Sequence, residues 1–142
     1  MSDLNSIVEL DLVSHSYSWG EKLITDALST RSNWVVEDDL EGKIIGWLTA
    51  SSLLNESELE LILIHPDYRQ QGFAKQLMLT WMLTMEGKQV DHFLLEVRAS
   101  NKLAVFLYLS MGFLQVGLRK NYYSTEIGME PALLMSRQLE CN

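Results

Sequence analysis

The stretch that decides the fold is Ile62-Leu63-Ile64-His65-Pro66-Asp67-Tyr68-Arg69-Gln70-Gln71-Gly72-Phe73-Ala74. Its first residues close an apolar run that begins with alternation at Glu56, the pattern of a central strand covered on both faces, and Pro66 ends it. A short polar loop follows, and Gly72 opens the clearest helix of the chain. Between Gly72 and Glu86, the residues Ala74, Leu77, Met78, Trp81, Met82 and Met85 fall at i, i+3, i+4, i+7, i+8 and i+11, one continuous apolar stripe that belongs in a core. A loop feeding a helix start aims several unpaired backbone amides at one point, and the positive end of the helix favours an anion there. Gly72 lets a guest approach the backbone closely, while Arg69, Gln70, Gln71 and Lys75 add donors and charge. The natural guest is a phosphate or pyrophosphate. Taken alone, the pattern [Gln/Arg]-x-x-Gly-x-[Gly/Ala] arises by chance in roughly one chain in seven of this length, so a plain loop glycine before an ordinary helix stays open. Neither a Gly-Lys-Ser/Thr phosphate loop nor a three-glycine dinucleotide fingerprint is present.

Working outward, Ser6 to Leu12 reads as a first strand, and Leu12 to Ser29 as two short helical patterns interrupted at Ser18-Trp19-Gly20, with Ser18 a candidate cap. Asn33 to Asp38 and Lys43 to Ser51 form a hairpin across an acidic turn, and Glu56 to His65 is the third strand of that group. Beyond the long helix, His92 to Arg98 is a strand, and Asn101 to Met111 is a helix stopped by Gly112. Leu114 to Tyr123 and Leu133 to Leu139 are the last strands. The expected architecture is α/β (α+β), a mixed central sheet of about seven strands flanked by about four helices, in a single domain spanning residues 1–142.

The composition narrows the function. A chain of 142 residues with 47% hydrophobic content buries a sizeable core, and its spread-out glycines and prolines exclude collagen-like and low-complexity classes. The net charge of −8 argues against a nucleic-acid backbone binder, which needs clustered Lys and Arg, and suits a basic partner or plain solubility. Cys141 is the one cysteine, so no internal disulfide forms, and it reads as a tail thiol. His15, His65 and His92 lack metal-ligand spacing, so no metal site is expected. Uncharged apolar stretches such as Leu61 to Ile64 are far too short for a membrane span, and a cytoplasmic protein is the default.

Context resolves the glycine loop. Together with Leu95-Glu96-Val97-Arg98-Ala99-Ser100-Asn101, then Tyr108-Leu109-Ser110-Met111-Gly112-Phe113, and Arg119-Lys120-Asn121-Tyr122-Tyr123, the segment resembles the GNAT superfamily of acetyl-CoA-dependent N-acetyltransferases. Within it the likeness leans to the branch that acetylates ribosomal-protein alanine termini, and it covers most of the chain from Glu58 onward. The resemblance implies that Gln70, Gln71, Gly72, Phe73, Ala74 and Lys75 hold the pyrophosphate of acetyl-CoA. It also implies that the backbone of Ile62, Leu63 and Ile64 pairs with pantetheine, and that Asn101 contacts the CoA arm. Glu96 takes the general-base position and Tyr108 the general-acid position. The acceptor it implies is a protein or peptide N-terminus, that of a basic ribosomal protein, with no nucleic acid and no membrane involved. Ala74 replaces the commoner glycine, and Glu130-Pro131-Ala132 stands where the family usually has Glu-Asp-Ala.

The chemistry fits those roles. A protein α-amine, with a reference pKa of about 7.7 to 8.0, is mostly protonated at neutral pH and must lose a proton before it attacks. A carboxylate on a mostly apolar strand, as Glu96 is, needs a reason. General base is one, and an ion pair with a nearby Lys or Arg is the other. Tyr108 is a proton donor for the departing thiolate or a core tyrosine with a satisfied hydroxyl. A backbone amide of the Ile62 to Ile64 strand could steady the thioester oxygen. Trp19, Tyr122 and Tyr123 are candidate walls of an acceptor groove, or simply packed aromatics. The rival functions are acetylation of a small amine or a lysine side chain, and a catalytically silent CoA-binding module.

Overall fold

A computed structural model describes residues 2–14, 18–125 and 128–140. The expectations for His15 and Cys141, and for the side chains of Tyr122 and Tyr123, fall outside the described residues. In chain order the elements are α1 (Ser2–Ser14), α2 (Glu21–Thr30), β1 (Ser32–Glu37), β2 (Ile44–Leu53), β3 (Glu56–Ile64), a 3₁₀ turn (Pro66–Tyr68), α3 (Phe73–Glu86), β4 (His92–Arg98), α4 (Lys102–Ser110), β5 (Leu114–Thr125) and β6 (Gly128–Gln138). One mixed sheet runs β1-β2-β3-β4-β6-β5, antiparallel throughout except for the β3–β4 pair. Among the described residues it has six strands where about seven were expected.

The missing strand is the first. Ser6 to Leu12 lies within α1, because its burial follows a helical period. Leu4, Ile7, Val8, Leu10 and Asp11 turn inward, while Asn5, Glu9 and Leu12 face out. Ser18 does not cap α2. Gly20 is the N-cap residue, with no side-chain cap, and the chain ahead of it is held by Asp11, wholly buried, whose carboxylate accepts from the amides of Trp19 at 3.3 Å and Gly20 at 3.1 Å. That anchors the connection between α1 and α2 where a buried carboxylate would otherwise be costly.

Two apolar layers sandwich the sheet. On one face, Leu77, Met78, Trp81, Met82 and Met85 of α3 meet Leu48, Leu59, Phe93 and Leu95, with Tyr108 and Met111 from the α4 region. Trp81 sits edge-on to Phe93 at 5.1 Å, and its indole N–H donates to Ser57 Oγ at 2.9 Å, so its one polar atom is satisfied inside the core. Ala74, the first member of the predicted stripe, instead lines an open cleft described below. On the other face, α1 and α2 cover β2 and β3 through Ile7, Leu10, Ile24, Ala27, Trp47 and Leu63. Trp19 packs edge-on against Trp47 at 6.1 Å, the packing alternative to a groove wall.

The feature that positions the site is a split in the sheet. Parallel pairing of β3 with β4 runs only from Glu56↔His92 to Leu59↔Leu95, although both strands continue. On the far side of β3, Thr49 pairs with Leu61 and Ala50 with Leu59, which leaves Glu60 as the extra residue of a β-bulge. A bulge bends its strand and raises the local twist. This one lies where the two strands part, so β3 swings away from β4 from Glu60 onward.

Candidate active site

The split opens into a cleft of about 710 Å³. One wall is the unpaired half of β3, at Ile62, Leu63 and Ile64. The floor is the loop and first turn of α3, at Gln70, Gly72, Phe73, Ala74 and Lys75, and the opposite wall comes from β4 and α4, at Arg98, Asn101, Ala104 and Tyr108. The cofactor residues named from the sequence thus converge here, with one exception: Gln71 does not line the cleft, and its amide Nε2 leans back toward Asp67 O at 3.4 Å.

On β3, the His65 amide donates to Ile45 O of β2 at 2.8 Å. Backbone groups alternate between the two edges of a strand, so those of Ile64 and Ile62 turn toward the gap, where β4 no longer pairs with them. An extended ligand can therefore bond to this edge as a missing strand would. In the loop, Gln70 and Gly72 are both left-handed, with φ of 61° and 86°. A Cβ at Gly72 would touch no protein atom within 4 Å, so the space above it is open. The first bond of α3 is from the Gln76 amide to Gly72 O at 3.0 Å, which leaves the amides of Phe73, Ala74 and Lys75 ahead of the helical ladder. Three donors, a helix dipole and Lys75 meet at one point of the floor.

Arg69 also lines the cleft, and its guanidinium braces the loop. Its Nη2 donates to Ser14 O at 2.6 Å and its Nε to Ile64 O at 3.2 Å, bracing the loop against the end of α1 and the end of β3. A second brace is Tyr68, whose hydroxyl donates to Asp38 Oδ2 at 2.6 Å. That bond holds the Asp38 carboxyl below its usual range and the Tyr68 hydroxyl above its own. The bonds from Arg69 to Ser14 and from Tyr68 to Asp38 carry no sequence signal, because they span 55 and 30 residues.

Asn101 is the N-cap of α4, its Oδ1 accepting from the Ala104 amide at 3.2 Å, which leaves its amide NH₂ to donate to a ligand. Tyr108 is buried in the wall and tilted against Phe113 at 6.3 Å, yet reaches the cleft. Core packing and cleft exposure coexist at this residue.

Glu96 is not part of the cleft lining. Its position on β4 alternates with Leu95 and Val97, which face α3, so Glu96 faces the opposite side of the sheet, just where the strands part. There Arg119 Nη2 meets its Oε1 at 3.0 Å. Glu58 of β3 shares this face, and although it keeps contact with solvent, partial desolvation, then the like charges of Glu96 and Glu60, hold its carboxyl above the usual glutamate range. Glu60 is drawn aside by Arg31, whose Nε lies 3.0 Å from its Oε2. The substrate-side stretch Glu130-Pro131-Ala132 is tied in as well: Glu130 Oε1 accepts from Ser100 Oγ at 3.0 Å and from Arg98 Nη1 at 3.4 Å. Thus a cleft with anion-binding and strand-pairing groups lies on one side of the split, and an acidic face with an ion pair on the other. Among the described residues no group of three or more His, Cys, Asp or Glu side chains could hold a metal, and no helix is long and apolar enough to cross a membrane.

Comparison with known proteins agrees with this geometry. Residues 4–113 match the model of the acetyltransferase (GNAT) family. The chain is 32% identical over 136 residues to the [ribosomal protein bS18]-alanine N-acetyltransferase of Escherichia coli K12, covering 95% of this chain and 90% of that one. The enzyme of that description from Haemophilus ducreyi is 30% identical over 141 residues, covering 96% and 94%. The crystal structure of the ribosomal-protein-S18-alanine N-acetyltransferase from Escherichia coli superposes with a TM-score of 0.92 at 30% identity, covering all of this chain and 91% of that one. The chain belongs to the GNAT family as an acetyl-CoA-dependent N-acetyltransferase.

Proposed function

We propose that this enzyme acetylates the N-terminal α-amine of a protein, that of the N-terminal alanine of ribosomal protein S18, working as a single domain in the cytoplasm. The observation that carries the reading is the split itself. It leaves the donor cleft and the face bearing Glu96 on opposite sides of one gap, so an amine entering from the acidic face meets a thioester held in the cleft. The similarity to the S18-alanine enzymes, over nearly the whole of both chains, supports the choice of acceptor.

In this reading the pyrophosphate lies on the amides of Phe73, Ala74 and Lys75, with Gln70, Gln71 and Gly72 shaping the turn and the Lys75 ammonium adding charge. Pantetheine pairs with the free edge at Ile62 to Ile64, and Asn101 contacts the CoA arm from the opposite wall. A gap-facing amide of β3 donates to the thioester oxygen as negative charge builds there. Glu96 takes the ammonium proton, directly or through a water, and the amine nitrogen attacks the carbonyl carbon. As the intermediate collapses, the carbon–sulfur bond breaks and Tyr108, in the cleft wall, gives its proton to the sulfur. The second nitrogen proton leaves through water and restores the Tyr108 hydroxyl, while Glu96 releases its proton to solvent. For Tyr108→Phe we expect the loss in the chemical step with the fold and acetyl-CoA affinity intact. Single-turnover rates equal to wild type would take the acid role from Tyr108.

The acceptor is tested with peptides. A short peptide beginning with Ala and carrying Arg or Lys downstream should gain one acetyl group, at its α-amine by mass spectrometry. With a net charge of −8 on the enzyme, efficiency should fall as salt rises. Faster acetylation of the same peptide with its α-amine blocked, or of a small polyamine, would move the assignment to a side-chain or small-amine acetyltransferase. Turnover of no amine at all would favour a silent CoA-binding module.

A further inference from the structure

We propose that Arg119 is a positioning residue for Glu96, gripping Oε1 of the carboxylate so that Oε2 is presented and aligned to the proton of the incoming amine. This rests on the reading of Glu96 as the base. The geometry is specific. Arg119 sits on β5, the edge strand, opposite Ala132 of β6, and Ala132 in turn faces Arg98 of β4. Glu96 lies diagonally across β6, opposite Leu134, which itself pairs with Gly117. At Ala132 and Gly117 there is no long side chain in the way, and a Cβ at Gly117 would come within 3.0 Å of Leu134 Cδ1. Arg119 can therefore lie across β6 and reach Glu96 at 3.0 Å. Among the described residues Glu96 makes no other bond, so Oε2 is left for chemistry.

The charges around Glu96 explain why such a hold is needed. On its own strand, Arg98 is engaged with Glu130 and His92 with Glu56. From β3, Glu58 faces the same side, and Glu60 is engaged by Arg31. Lys120 follows Arg119 on β5. Arg98 and Arg31 thus have carboxylates of their own, and Arg119 is the cation at contact distance from Glu96, beside the like charge of Glu58.

The test is kcat and KM for the Ala-peptide at saturating acetyl-CoA for wild type, Arg119→Met and Arg119→Lys, with acetyl-CoA affinity by calorimetry. Arg119→Met should lose kcat by about tenfold or more, the cost of a misplaced reacting group, with little change in KM or acetyl-CoA affinity. Arg119→Lys should restore most of kcat. Wild-type kcat in Arg119→Met, a loss confined to KM, or failure of Lys to rescue would overturn the proposal. Glu96→Gln separates this from the base assignment: if that variant loses the rate while Arg119→Met keeps it, only the role of Arg119 falls. Wild-type turnover in Glu96→Gln removes both.

Discussion

Glu96→Gln should keep acetyl-CoA binding and lose turnover near pH 7 by on the order of a hundredfold or more, the usual cost of removing a general base. Binding is spared because Glu96 stands outside the cleft lining, on the opposite face of β4. Fold is spared because glutamine is nearly isosteric and its carbonyl can still accept from Arg119, which in the native protein lies 3.0 Å from Oε1. Only the capacity to take a proton is gone. Raising the pH should therefore recover part of the rate, since solvent then deprotonates an amine whose reference pKa is about 7.7 to 8.0. Single-turnover measurements at pH 7 and pH 9, with calorimetry for acetyl-CoA, make the comparison. Wild-type turnover at pH 7 would return Glu96 to a plain partner of Arg119.

How far the sequence foretells this site depends on which interactions build each part. The α3 stripe and the loop ahead of it were legible because both are local: six residues at helical spacing, then one glycine at the mouth of the helix, where φ is 86°. The same locality misled at Ser6 to Leu12. Ile7, Val8, Leu10 and Leu12 suit a strand or a helix when read in isolation, and what decides for the helix is that Ile7 and Leu10 pack on Ile24, Trp47 and Leu63 far along the chain. The split was out of reach altogether. It depends on Glu60 being skipped in the register between β2 and β3, a choice made across strands that no run of residues displays. Glu96 stands out in the sequence as a carboxylate on an apolar strand; the structure shows the ion pair, with Arg119 across β6, and the base role remains the proposal. Arg69 shows the reverse case, a cation near a phosphate site whose guanidinium is engaged by two backbone carbonyls. The roles of the cleft residues came from the resemblance, and spacing alone would have left them open.

Gly72→Glu should abolish acetyl-CoA binding while leaving the protein folded. At φ 86° a side chain is strained, costing about 1 to 2 kcal/mol, which a domain of this size can bear. Its Cβ would meet no protein atom within 4 Å, so the added bulk goes into the cleft instead of the core. The charge does the rest. A carboxylate about 5 Å from one phosphate charge costs about 3 kcal/mol at an effective dielectric of about 20, more than a hundredfold in affinity. It would also attract the donors and Lys75 that the pyrophosphate needs. Gly72→Gln separates the contributions, keeping bulk and strain without the charge, and should bind better than Gly72→Glu by a margin that narrows in high salt. Calorimetry on both variants, with circular dichroism to confirm the fold, decides the matter. Unchanged acetyl-CoA affinity in a folded Gly72→Glu protein would place the pyrophosphate somewhere other than the start of α3.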